Sequence, residues 1–502
     1  MNWSAPGARE YPWSIPESWS WTTMGDVSQV VGGGTPPTSD PSNFDGGSIP
    51  WITPADLSGY SDKHIAGGTR SITQKGLGRS GARLMPTGTV LFSSRAPIGY
   101  VAIASQPVSS NQGFKSFVLY RGLAPDYVYH YLKRAKDLAL DLASGTTFLE
   151  ISGAKAAQIV IPVAPYAEQH LVVAEIEKQF SRLDAAVAAL KRAQANLRRY
   201  RSSVLKMACE GRLVPQDPND KPADSLMKHI DPHPRGHTAQ PAQAANAIAS
   251  CNDETGALPS GWYWSVLEDV SAAVVDCPHS TPEWTESGPI CVRTTEFGPG
   301  HLDLTNARHV SDATYRERIQ RLQPREGDIL YSREGGILGI ACVIPFGVKL
   351  CLGQRMMLIR TSASAVPAFV MYVLNSQRIT GLVRRLTGGS ASPHLNVKDI
   401  KRFPIPLPPP AEQHRIVAEV ERRLSVMDEL ETAVEANLKR AERLRQAILK
   451  RAFEGRLVPQ DPDDEPASVL LERIRIQRES SHGEPKLVRP DLRSASPAAR
   501  PR

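Results

Sequence analysis

Cysteine is scarce in this 502-residue chain: there are six, and no two are spaced C-x-x-C. That argues against a disulfide framework and against a cysteine-rich zinc site. Long hydrophobic runs are missing as well, since the longest, such as Phe369–Leu374, are far too short to cross a bilayer. The opening residues MNWSAPGAREYPW carry neither the basic stretch nor the apolar core of a secretory leader, so a cytoplasmic protein without a membrane partner is expected. No G-x-x-x-x-G-K-[ST] phosphate loop occurs, which sets that class of nucleotide hydrolase aside. Neither sign of charge dominates: 59 Lys and Arg face 52 Asp and Glu, a net charge of +7. Such a balance is compatible with a polyanionic partner, but charge identifies a partner only through its distribution.

Proline is abundant, with 41 residues, and its placement marks boundaries. The hydrophobic share of 41% and the charged share of 22% are those of an ordinary globular protein. A chain of this length exceeds what one hydrophobic core serves, so two or more domains are expected.

An internal repeat sets the organisation. PVAPYAEQHLVVAEIEKQF, from Pro162, returns as PLPPPAEQHRIVAEVERRL, from Pro406, and EGRLVPQDPNDKPA, from Glu210, returns as EGRLVPQDPDDEPA, from Glu454, both at an offset of 244. Across 162–226 and 406–470, 31 of 65 aligned positions are identical. Weaker matches lie upstream. IPESWSWTTMGDVS (Ile15–Ser28) resembles LPSGWYWSVLEDVS (Leu258–Ser271), LMPTGTVLFSSRA (Leu84–Ala96) resembles LQPREGDILYSRE (Leu322–Glu334), and SSNQGFKSFVL (Ser109–Leu119) resembles LCLGQRMMLIR (Leu350–Arg360). Their paired or alternating apolar residues between polar corners read as short strands.

The strongly repeated segments read as long helices. From Glu168 to Ala208 there is no Pro or Gly, and good helix formers dominate. Apolar residues fall at Ile176, Phe180, Leu183, Val187, Leu190, Leu197 and Val204, with polar lapses at Gln194 and Arg201. The second copy has Val420, Leu424, Met427, Val434, Leu438, Ala441 and Ile448, with lapses at Glu431 and Arg445. Spacing near 3.5 residues is the coiled-coil pattern, and two such stripes can bury each other in an antiparallel pair. Packing of each helix on its own globule alone is the other reading. Gly211 and Gly455, followed by Pro215 and Pro459, suit left-handed caps.

The expected fold is therefore α+β: two strand-rich recognition domains in tandem, each followed by a long helix. Residues 1–161 form the first domain and 162–214 the first helix, 215–257 a Pro/Ala/Gln-rich flexible linker. Residues 258–405 form the second domain, 406–458 the second helix, and 459–502 an extension expected to be disordered from about residue 477.

Two variable domains alternating with near-identical helical repeats that carry AEQH-x-x-V-x-E and EGRLVPQDP resemble the DNA-specificity subunit of type I restriction-modification systems. The resemblance spans roughly Tyr11 to Leu470. It implies that each domain reads one half of a bipartite, asymmetric site in double-stranded DNA. The helices would set the spacer and dock two methyltransferase (modification) subunits carrying S-adenosylmethionine. Two restriction subunits using ATP and Mg would join them. The chain itself would bind no cofactor and no metal and would not be an enzyme. The alternatives are a specificity subunit serving a methyltransferase without a restriction partner, and an architectural coiled-coil adaptor whose globules bind protein.

The residues agree with a non-catalytic role. The [DN]-P-P-[FYW] motif of an adenine methyltransferase is absent, because the prolines of GGGTPPTS (Gly32–Ser39) and PLPPPAEQ (Pro406–Gln413) have no acidic or amide residue before them. Val30-Val31-Gly32-Gly33-Gly34 is strand-then-glycine without a βαβ context and makes a poor cofactor loop. His229, His233 and His237 recur every four residues, but Pro232 and Pro234 break any helix between them. Cys277 and His279 read as a turn with a buried cysteine, and the pairs Trp19/Trp21 and Trp262/Trp264 as structural.

Basic and amide residues near the turns are the candidate DNA contacts. In the first domain these are Lys63, Arg70, Lys75, Arg79, Arg83, Arg95, Gln112 and Lys115. In the second they are Arg293, Arg308, Arg316, Arg318, Arg333, Gln354 and Arg355. Arg95/Arg333 and Gln112/Gln354 occupy matching repeat positions, which suits scaffold or phosphate roles better than base reading.

Overall fold

A computed structural model describes residues 11–95, 97–145, 149–223, 258–388 and 393–481. The chain is α+β and gathers into two compact units, neither of which coincides with one copy of the repeat. One joins Met1–Ala189 to Asn437–Arg502, and the other is Leu190–Ala436.

In the first unit a five-stranded sheet runs in the order Ser28–Gly32, Lys115–Leu119, Val90–Phe92, Val101–Ala104, His64–Ile65. A three-stranded sheet holds Arg70–Ile72, Ile49–Ile52 and Ser109–Ser110, and Ser20–Thr23 pairs with Val160–Val163. Proline sets the first turn of the helix Pro125–Arg134, which buries Tyr127, Val128, Tyr131 and Leu132 in one core with Phe92 and Phe117.

The second unit repeats the plan. Its four-stranded sheet runs Ser271–Asp276, Met356–Thr361, Ile329–Ser332, Ala341–Val343. Its three-stranded sheet holds Arg308–Val310, Trp284–Val292 and Leu350–Leu352, and Tyr263–Val266 pairs with Pro404–Leu407. In both three-stranded sheets the central strand is antiparallel to one neighbour and parallel to the other.

The long helices are Tyr166–Cys209 and Pro410–Phe453, of 44 residues each, and they pair antiparallel. Of the apolar stripe, Ile176, Val204, Val420, Met427, Val434 and Ala441 are buried. Phe180, Leu183, Val187, Leu190, Leu197, Leu424, Leu438 and Ile448 are half-buried. The stripe meets both helix and globule. In the first unit Val172, Ile176 and Phe180 share a core with Leu449, Ala452, Phe453 and Tyr127. In the second, Leu197 and Val204 share one with Val420, Met427, Trp262 and Phe369. The polar lapses carry ion pairs across the seam: Arg201 meets Asp428 and Glu431, and Arg445 meets Asp184. Arg201/Arg445 and Asp184/Asp428 are equivalent in the repeat. This reciprocity is what a duplicated helix makes when its copies run antiparallel.

The repeated AEQH and EGRLVPQDP motifs act as anchors. Trp19 Nε1 donates to Glu168 at 2.8 Å, and Trp262 Nε1 donates to Glu412 at 3.0 Å. Gln169 accepts from Ala124 N at 3.0 Å and donates to Ala164 O, while Gln413 accepts from Val366 N at 2.7 Å and donates to Ser364 O and Pro408 O. Such buried amides order a helix start because an unmet partner would be costly. Gly211 and Gly455 end the helices at φ +64° and +68°, as left-handed caps require. Each helix's far end packs on the other copy's tryptophan region: Gly211 lies against Pro259 and Trp262, and Gly455 against Pro16 and Trp19.

Two segments differ from expectation. Leu213, at the end of the expected first helical segment, and Ala223, in the expected linker, are buried in the second unit's core, with Asp220 ion-paired to Arg415 at 2.6 Å; residues 224–257 lie outside the described residues. The extension contains a helix, Ala467–Ser481, that reaches beyond residue 477. It buries Ala467, Leu470 and Ile474 in the first unit's core, and residues 482–502 lie outside the described residues. Among the described residues no helix is long and apolar enough to cross a membrane.

Candidate nucleic-acid interface

Each globule carries a small lobe built on its three-stranded sheet. In the first, Phe44, Ile49, Trp51, Ile72 and Ala82 form a separate cluster. In the second, Cys291, Val310, Tyr315 and Cys351 do, with Trp284 packed against them. The strand that supplies Arg70 or Arg308 runs into a short helix capped by a hydroxyl. Thr73 accepts from Gly76 N at 3.1 Å ahead of Gln74–Gly78, and Ser311 accepts from Thr314 N at 3.1 Å ahead of Asp312–Arg318. The exposed cations Arg70, Lys75, Arg79 and Arg83 concentrate along the first lobe, and Arg308 and Arg316 along the second. Clustered basic residues of this kind are the electrostatic footprint of nucleic-acid binding.

The environments of the candidates separate them. Lys63 is held by Asp126 and Glu177. Lys75 and Arg79 both lie 3.0 Å from Asp40, whose carboxyl is held down to about 2 by hydrogen bonds from Ser42 and Lys75. Arg95 and Lys115 share Glu150, at 3.9 and 3.6 Å, and Arg293 is paired with Glu296. Arg333 is corrected to an internal role: it is 7% exposed, and its guanidinium is used up by Asp276 at 2.8 Å, Glu334 at 2.7 Å and Leu395 O at 2.8 Å. Arg318 is likewise buried, donating to Leu352 O at 2.9 Å and Gly353 O at 3.2 Å.

Arg70, Arg83, Gln112, Arg308, Arg316, Gln354 and Arg355 are left with no carboxylate partner among the described residues. Gln112 meets Thr35, and Gln354 donates to Thr281 at 2.7 Å, so the matched glutamines each hold a threonine followed by a proline. Among the described residues Arg355 is the one non-glycine with a left-handed backbone, at φ +70°, a conformation that costs free energy and clusters at functional positions. The position matching it in the first copy is Gly113.

Sequence reasoning missed the aromatic floor under the arginines. The Arg70 guanidinium lies 4.1 Å from the Phe44 ring centre, and those of Arg308 and Arg293 lie 5.3 and 5.8 Å from that of Trp284. Phe44 and Trp284 each stand seven positions before the central-strand residue, Trp51 or Cys291. That shared spacing was the available signal, hidden because none of these residues is identical between copies.

The other motifs resolve as packing. A Cβ on Gly33 would fall 1.9 Å from Asn111 O, and one on Gly34 2.4 Å from Ala82 N, so these two glycines permit close backbone crossings. Cys277 is buried, which raises its thiol pKa, and His279 sits 3.1 Å from Asp276. His229, His233 and His237 lie outside the described residues. Trp19 and Trp262 are buried and Trp21 and Trp264 half-buried.

A family model described as the type I restriction modification DNA specificity domain matches residues 16–197 and 304–440, more than half of the chain. The chain belongs to this family. It is similar to the type I restriction enzyme MjaIX specificity subunit of Methanocaldococcus jannaschii, at 39% identity over 34% of this chain and 39% of that protein. It is also similar to the EcoBI specificity subunit of Escherichia coli, at 25% identity over 71% of this chain and 72% of the relative. A chain solved in work on complex assembly and conformational transition of the type I R-M system shares the fold, with a TM-score of 0.61 and 21% identity, covering 89% of this chain and all of that one.

Proposed function

We propose that this member of the specificity family is the non-catalytic DNA-reading subunit of a type I restriction-modification complex, acting in the cytoplasm. Each globule reads one half of a bipartite double-stranded site. The observation that carries this reading is the duplicated lobe: one sheet plan twice, each with exposed, uncompensated arginines, on surfaces that otherwise differ. Different half-sites demand different surfaces, because base-edge contacts specify while phosphate contacts position. Arg70, Lys75, Arg79, Gln112, Arg308, Arg316, Gln354 and Arg355 are the DNA-facing set on this account.

The helices act as the spacer ruler. At 1.5 Å per residue, 44 residues make a rod of about 66 Å, and half-sites one turn of B-DNA apart are separated by about 34–36 Å. The nearly repeated helix faces suit two copies of one partner, here two modification subunits that bring S-adenosylmethionine. Two restriction subunits with ATP and Mg complete the assembly. The test is the methylome of a methylation-free host that expresses this chain with its modification subunit. A split motif with a fixed gap and one adenine methylated on each strand is expected. A folded complex that leaves every adenine unmodified would defeat the proposal.

A further inference from the structure

In each lobe one arginine occupies the same place in the strand register. Arg70 pairs with Trp51, which also pairs with Ser109; Arg308 pairs with Cys291, which also pairs with Cys351. Each is the first residue of its strand and is exposed. Each guanidinium lies over an aromatic ring, at 4.1 Å from Phe44 or 5.3 Å from Trp284. Neither has a carboxylate partner among the described residues, unlike Lys63, Lys75, Arg79, Arg95, Lys115 and Arg293, which do.

A ring under the guanidinium face fixes its plane without using its N–H groups, and an exposed guanidinium keeps those N–H groups for an oxyanion that can take two of them. Burial against a carboxylate would have cancelled the charge; here it is kept. The two lobes differ in ring type, in the length of the following helix and in the cations of that helix and its end, with Ala313 and Glu317 standing where the first copy has Lys75 and Arg79, yet they keep this arginine. A contact common to two readers of different sequences is made to what all sequences share.

We infer that Arg70 and Arg308 are matched clamps on the DNA sugar–phosphate backbone, one in each recognition domain, and that neither reads a base. This rests on the specificity-subunit reading above. The clamps seat the two half-sites in the same way, so the residues around each clamp can vary without loss of docking.

The test uses the full chain in complex with its modification subunits, on a duplex carrying the methylated motif and on a scrambled duplex, across a salt series. Arg70→Ala and Arg308→Ala should each weaken both duplexes alike, by about tenfold. Each should also lower the slope of log affinity against log salt by about one, and the double variant by about two. The methylated motif should stay the same. Arg70→Lys and Arg308→Lys, which keep the charge, should retain the salt slope; if they lose it together with the melting temperature, the residues serve folding and the inference fails. A motif that becomes degenerate at one base would make the arginine a base reader and overturn it, as would unchanged affinity and slope. Failure of the wild-type complex to bind the duplexes at all would instead sink the specificity-subunit reading itself.

Discussion

Where the first globule buries His130 beside Glu177 of the first long helix, the second buries Tyr372 in the field of Glu421 of the second. Each is the sixth residue of a helix that begins with proline, at Pro125 or Pro367. His130 is 4% exposed, neither of its ring nitrogens has a hydrogen-bond partner among the described residues, and Nε2 lies 3.7 Å from Glu177. Burial, only partly offset by Glu177 and reinforced by Lys63 and Lys133, pushes its pKa down to about 4. Burial pushes the Tyr372 hydroxyl up to about 12. A duplicated skeleton thus keeps its contacts while the chemistry at one contact changes, an imidazole in the first copy standing where the second has a phenol.

The shared skeleton is most sensitive at the two helix ends. Gly455→Ala would place a Cβ 2.3 Å from Pro16 Cγ, and Gly211→Ala one 2.4 Å from Pro259 Cγ, both at positive φ. Each should cost about 3 kcal/mol or more, and domain-resolved hydrogen exchange should show Gly455→Ala loosening the first globule and Gly211→Ala the second.

Acid should sharpen the contrast next. His130 has a depressed folded pKa, so its contribution is complete above the ordinary histidine value of about 6.5 and is lost as the pH falls from there toward about 4. The loss amounts to roughly 2–3 kcal/mol over that window. Amides of the first globule should lose protection between pH 6.5 and 4 before those of the second, and His130→Tyr should remove the difference.

A smaller effect is expected at Arg355, which holds φ +70° where the first copy has Gly113. Arg355→Gly relieves the strained backbone but frees the unfolded chain. Chemical denaturation should show a gain of about 1 kcal/mol or less, and the methylome should show one base of the second half-site becoming degenerate. Smallest of all, Arg445→Ala and Arg201→Ala remove exposed ion pairs between the helices and should each cost under about 1 kcal/mol in thermal unfolding.

Much of this organisation was readable from local pattern. The constant offset announced the duplication, the 3.5-residue stripe announced paired helices, and Gly211 and Gly455 announced their ends. What local pattern does not carry is which distant surface a segment finds. Nothing near Gly455 in sequence says that it meets Pro16, and Ala467, Leu470 and Ile474 look like part of a polar tail until the first globule's core is seen to cover them. The same limit applies to the basic residues. Lys63 and Arg70 look alike as letters; Asp126 and Glu177, far along the chain, neutralise one, while Phe44 merely supports the other.

On the proposed reading, two independent readers share one docking skeleton. The most direct test is to replace residues 12–160 with the first recognition domain of another family member and sequence the methylated DNA. One half of the motif should change while the other half and the gap length stay as they were. A motif that is unchanged, or one that changes in both halves, would contradict the account.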